Sequence, residues 1–193
     1  AADTIATLLS ARLITEEWLY SGCRCYVLSN RGHELLSVSS AKQANHRCSL
    51  STETKIRRYA MLSFCCLGEV SRIRLTQSEL SVFCLETMNQ VGAGNYYVEP
   101  DANHRLGFIR VDMGGRGRWD RVLAKAEQDA RRILQEPACQ TLIRAGHMEL
   151  TIATATQEKA ERMSRQLMAS PCQLPIRIAV ISELLDLIAP PPD

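Results

Sequence analysis

A chain of 193 residues with 46% hydrophobic and 23% charged side chains can bury one generous core or two small ones. A net charge of +2 excludes a strongly polybasic or polyacidic protein. No apolar run approaches the ~20 residues of a membrane span and no secretory leader pattern opens the chain, which points to a soluble, cytoplasmic protein without a membrane partner.

Asp3 or Thr4 is placed to cap a helix running to about Ser10, apolar at Ile5, Leu8 and Leu9. Because this helix begins almost at Ala1, further sequence is expected upstream in the natural protein. Leu13-Ile14 leads into a polar stretch, residues 15–24, then a strand over Cys25–Leu28 and a helix capped by Ser29 that carries Gly32 and Leu35-Leu36. The following segment, rich in Ser, Asn, Gln and Lys, reads as a linker.

The second part opens with a helix over Lys55–Leu67, apolar at Ile56, Tyr59, Ala60 and Phe64. Strands are predicted over Ser71–Thr76, Ser81–Leu85, Tyr96–Glu99 and Leu106–Asp112, then a helix over Arg118–Gln135 stopped by Pro137. A strand over Met148–Thr154, a helix over Gln157–Met168 with a solvated face and a strand over Ile176–Ile181 complete the set. The organisation is thus a small unit in residues 1–38, a linker in 39–54, a larger unit in 55–188 and a flexible tail in 189–193. This order predicts an α/β (α+β) protein with a mixed sheet and helices on both faces.

Arginine dominates the cations, which suits bidentate phosphate contacts. Arg116, Arg118 and Arg121 flank the Gly-rich turn at Gly114–Gly117 and the start of a helix, a place that would hold a DNA phosphate. Eight cysteines are spread along the chain, of which Cys65, Cys66 and Cys84 read as small core residues. A zinc site on Cys23-x-Cys25 with His33, His46 or Cys48 would lack the paired C-x2-C spacing of structural zinc sites.

Acidic residues end two successive strands: Glu99-Pro100-Asp101 closes one, Asp112 the next, with Lys125 on the helix beyond. Carboxylates brought together at strand ends can hold a hard cation such as Mg²⁺, and a nearby lysine can polarise a phosphate. Asp101 and Asp112 are therefore candidate metal ligands, and Lys125 completes a candidate catalytic set. The four histidines, His33, His46, His104 and His147, lie far apart in sequence and do not form the His-x-His cluster of a tyrosine relaxase. Tyr96 and Tyr97 are adjacent on one strand and must point to opposite faces, so at least one belongs to the core.

The segment Tyr26-Val27-Leu28-Ser29-Asn30-Arg31-Gly32-His33-Glu34-Leu35-Leu36 resembles the end of bacterial winged-helix domains. That resemblance implies that Ala2–Ser10 ends a recognition helix, that residues 15–25 form the wing, and that Arg24 and Arg31 face DNA. The second part resembles the PD-(D/E)xK nuclease fold, whose core runs helix, three strands, helix, strand. Together the two parts resemble the replication-relaxation family of plasmid and integrative-element proteins, with Pro100-Asp101, Val111-Asp112 and Lys125 at comparable spacing. Arg110 stands where that pattern has an acid, and Gly114 where it has a lysine. The resemblance implies a double-stranded-DNA-binding protein of plasmid mobilisation or replication, either a Mg²⁺-dependent nickase or a non-cutting nuclease-like shell, with a homodimer compatible with both. The rival readings are a winged-helix transcriptional regulator with a ligand-binding or dimerisation domain, and an accessory protein that contacts other transfer or replication proteins.

Overall fold

A computed structural model describes residues 2–20, 23–36, 50–68, 70–76, 79–80, 95–100, 104–114, 119–169 and 172–188. The described residues form a mixed α/β fold with two β-sheets, divided into two compact units, one within residues 1–55 and the other within 56–189.

In the first unit, helix α1 (Ala2–Ser10) precedes an antiparallel hairpin, β1 (Ile14–Tyr20) and β2 (Cys23–Leu28), and then helix α2 (Asn30–Leu36). Arg12 ends α1 with a left-handed backbone (φ 55°), so that Leu13 N–H donates to the Leu8 carbonyl and Arg12 N–H to the Leu9 carbonyl. This double closure satisfies the last carbonyls of the helix and turns the chain into β1. Ser29 caps α2 as expected, its hydroxyl accepting from the Gly32 N–H at 3.0 Å. Gly32 is required there by packing, since a Cβ at this position would lie 2.1 Å from the Leu13 carbonyl oxygen. β1 falls in the polar stretch from which no strand is expected, because Thr-Glu-Glu gives it too little apolar alternation.

The second unit is built on a five-stranded sheet in the order β3 (Ile73–Arg74), β4 (Tyr96–Glu99), β5 (Arg105–Val111), β6 (Met148–Thr154), β7 (Ile176–Val180). β3, β4 and β5 pair antiparallel; β5, β6 and β7 pair parallel. Helix α3 (Thr52–Cys66) precedes the sheet, α4 (Trp119–Gln135) and α5 (Pro137–Arg144) connect β5 to β6, α6 (Gln157–Ala169) connects β6 to β7, and the short α7 (Leu184–Ile188) follows. The predicted strand at Ser81–Leu85 lies outside the described residues.

One sheet face is apolar. Tyr96, Val98, Leu106, Phe108, Met148, Leu150 and Ile152 pack against Val122, Leu123, Ala126, Ala130 and Ile133 of α4, Cys139 of α5 and Met163 of α6. The helical repeat of α4 places those residues on one stripe, with Asp129 among them. Pro137 does stop α4, and it also serves as the first residue of α5, where its missing N–H costs nothing.

The opposite face is polar yet buried. Phe64 of α3 packs edge-on against Tyr97 at 4.9 Å. Tyr97 reaches across β5 to β6, donating to Glu149 Oε1 at 2.7 Å and lying 2.7 Å from the Thr151 hydroxyl. Its path exists because Gly107, paired directly with Tyr97, has no side chain; a Cβ there would come within 2.0 Å of the ring. Arg105 and Arg177 bind Glu149, while Arg72 and Arg177 bind Glu99. Burial, aided by Glu149, raises the Tyr97 phenol above its ordinary pKa, so it stays a neutral donor. Both Tyr96 and Tyr97 are fully buried, one in each layer.

Cys65 is buried as expected, but Cys66 beside it on α3 is exposed, and Cys84 lies outside the described residues. Burial pushes the Cys65 thiol up to about 11 and Cys139 up to about 12. Thiolate is the reactive form, so at pH 8 only about one molecule in a thousand would carry it at Cys65, and fewer at Cys139. Mass-spectrometric mapping after iodoacetamide treatment of the native protein should show Cys66 modified well before Cys65 or Cys139. Equal rates at all three would contradict this packing.

Candidate functional site

Besides the buried network around Glu99 and Glu149, two further groups of polar side chains among the described residues stand apart from ordinary solvated surface. The first lies at the carboxyl ends of the parallel strands, where ligands of α/β sheets commonly bind. Asp112 extends the ladder one residue past β5, its N–H donating to the Ala153 carbonyl at 2.8 Å. The carboxylate is buried and fully engaged: Oδ1 accepts from Gly114 N–H at 2.9 Å, and Oδ2 from the Thr154 hydroxyl at 3.1 Å and from Lys159 Nζ at 2.5 Å. Lys159 is brought there by α6, whose first turn is capped by Thr156, the Thr156 hydroxyl accepting from Lys159 N–H at 3.3 Å. Each of Asp112 and Lys159 has only 3% of its side chain exposed. Beside this pair opens a cavity of about 250 Å³ lined by Trp119, Thr156, Glu158, Lys159, Arg162 and Leu185.

The second group lies on the hairpin of the first unit. Arg24 on β2 sits opposite Trp18 on β1, its guanidinium 4.8 Å above the indole ring, and bridges to Glu16 at 3.2 Å. Trp18 is 55% exposed, so a large aromatic surface and a cation are offered together to solvent.

The residues singled out from sequence are only partly brought together. Asp112 lies at the strand end as expected, but its lysine is Lys159. Lys125 is exposed on α4, off the stripe that packs on the sheet. Asp101 lies outside the described residues. The residues flanking its connection, Glu99 and Arg105, pair at the other end of the β4–β5 hairpin from Asp112. Arg105 and Asp112 are seven steps apart along the chain, about 23 Å at ~3.3 Å per residue. β4 and β5 are antiparallel, so the end of β4 lies beside the start of β5.

Arg110 is committed to Asp129 on α4, through Nε at 2.5 Å and a second, closer nitrogen. Arg121 and Arg31 are exposed on α4 and α2, and Arg116 and Arg118 lie outside the described residues. The proposed zinc ligands Cys48 and His46 and the side chain of Cys23 are likewise outside them. Among the described residues no group of three or more His, Cys, Asp or Glu side chains is arranged to hold a metal ion.

Lys159 was legible in principle. It falls on the same helical stripe as Ala160 and Met163, both buried, whereas reading the helix as one solvated face hid that position. Among the described residues no helix is long and apolar enough to cross a membrane. No protein-family model, curated protein or solved structure matches the chain.

Proposed function

We propose that the chain is a double-stranded-DNA-binding protein of a mobile element, in which the first unit contacts DNA and the second is a nuclease-like shell. The observation that carries the reading is the helix–hairpin–helix order of the first unit, with Arg24 and Trp18 exposed together on the hairpin. A hairpin after a helix is the arrangement in which a wing follows a recognition helix, and an exposed arginine on it can reach a phosphate. In the second unit, the order α3, β3–β5, α4, β6, with the short α5 inserted before β6, resembles the PD-(D/E)xK core, which supports the nuclease-like reading. The link to plasmid mobilisation or replication rests on the family resemblance.

The surroundings of Asp112 do not fit Mg²⁺. A magnesium site needs several oxygen ligands in near-octahedral geometry, and here an ammonium and two hydrogen-bond donors already occupy the carboxylate. The second unit is therefore read as a binding and scaffolding domain, and no cleavage step is assigned to it.

Fluorescence anisotropy with a labelled duplex of arbitrary sequence tests the first half. Binding should weaken as salt rises, and Arg24→Ala should reduce the salt slope by about one, with similar loss on unrelated sequences. An absence of binding at low salt would sink the DNA reading. Incubation with supercoiled plasmid in Mg²⁺ or Mn²⁺ tests the second half: retardation without open circles is expected. Metal-dependent nicking lost in Asp112→Ala would replace the shell with a nickase.

A further inference from the structure

β7 forms one edge of the five-stranded sheet, and among the described residues no strand pairs with its outer side. Leu150 N–H donates to the Pro175 carbonyl and Ile181 N–H to the Thr154 carbonyl, so the odd-numbered residues of this segment turn their backbone toward β6. Alternation along a parallel ladder then aims the N–H and C=O groups of Ile176, Ile178 and Val180 outward. Proteins guard such edges with lysine, proline or a bulge. The sequence Ile-Arg-Ile-Ala-Val has neither residue and pairs with β6 in unbroken register. Its one charge, Arg177, is drawn onto the sheet face by Glu99 and Glu149.

Along this edge runs an open groove of about 410 Å³ between β7 and α6, lined chiefly by Gln157, Glu161, Arg165, Met168, Ile178 and Val180. Met168 is 81% exposed and Val180 41%. The groove carries one acid and, a helical turn later, one base.

We propose that this edge joins two copies of the chain, β7 pairing antiparallel with β7 of the second copy about a two-fold axis at Ile178. Ile178 then faces Ile178, and Ile176 faces Val180 in both directions, so the outward backbone groups of the three residues close about six hydrogen bonds. The same axis runs α6 antiparallel to α6 of the other copy. Glu161 of each copy then meets Arg165 of the other, a self-complementary pattern that a two-fold interface demands. Backbone pairing supplies affinity, and the charge pair fixes the register.

The test is sedimentation of the full chain over a concentration series. A dimer is expected in the micromolar range. Glu161→Arg should weaken it about tenfold or more by placing arginines opposite one another, and the swap Glu161→Arg with Arg165→Glu should restore it. Ile178→Pro should abolish it, because the lost N–H faces outward and the ladder to β6 is untouched. If the proline variant fails to fold, the charge reversal and its swap decide alone. A monomer throughout the series, or a dimer indifferent to either the charge reversal or a folded Ile178→Pro variant, would overturn the proposal.

Discussion

Gly107→Ala is expected to cost the second unit at least about 3 kcal/mol, at the upper end of overpacking effects, or to unfold it. A Cβ at this position falls 2.0 Å from one ring carbon of Tyr97 and 2.4 Å from its hydroxyl oxygen. The ring has no room to retreat, since Phe64 lies against it and its hydroxyl is tied to Glu149 and Thr151. Moving Tyr97 also strips a donor from a buried carboxylate, which adds an unsatisfied polar group to the clash. Urea denaturation read by circular dichroism measures the loss. The double variant Gly107→Ala with Tyr97→Ala should be less destabilised than the sum of the single changes, because the collision exists only when both side chains are present. Additive losses would show that Gly107 is needed for some reason other than the passage of Tyr97.

Lys159→Met should be nearly as damaging, at about 3–5 kcal/mol, because it leaves the Asp112 carboxylate buried without its cation. Thr154 and the Gly114 N–H would remain as neutral donors, too weak to hold the charge alone. With a denaturant slope near 2 kcal/mol/M, the urea midpoint of the second unit should fall by roughly 2 M. Replacing both members, Lys159→Met with Asp112→Leu, should recover most of that loss, since a hydrophobic pair avoids the desolvation that the ions suffer. A double variant as unstable as Lys159→Met alone would mean that the pair does more than compensate charge. The adjoining cavity with Trp119 and Arg162 would then be the place to seek a ligand.

How much of this was legible depended on whether local pattern or chain topology decided the outcome. The expected bounds of β4 and β6 coincide with the observed ones because each is a run of β-favouring residues bounded by turn signals. The packing face of α4 was equally visible, since Val122, Ala126, Ala130 and Ile133 repeat at helical spacing. That repeat also contains Asp129, so the partner of Arg110 could have been anticipated: an arginine within the apolar strand Phe108–Val111 requires a buried acid. What could not be read was strand direction. Local pattern marks Glu99 and Asp112 as acids near strand ends, but only the antiparallel pairing of β4 with β5 shows that Glu99 lies beside Arg105 at the start of β5. The burial of Lys159 follows from the stripe it shares with Ala160 and Met163, but its pairing with Asp112 depends on α6 beginning above the end of β6, a long-range fact that no local pattern carries.

The arginine–glutamate network on the sheet has a consequence for the order in which the protein is made. Glu99 is bonded to Arg177 across 78 residues, and Glu149 draws on the same guanidinium. A nascent chain that has delivered β4, β5 and β6 to solvent still lacks this cation and the strand that carries it. Contacts of such sequence separation form late and slowly. The second unit should thus remain incomplete through most of its synthesis, with an unfinished sheet edge at β6 available to chaperones or to neighbouring chains on the same message. Delivery of β7 ends that exposure of β6, and Arg177 arrives on the same strand as the shared cation of Glu99 and Glu149.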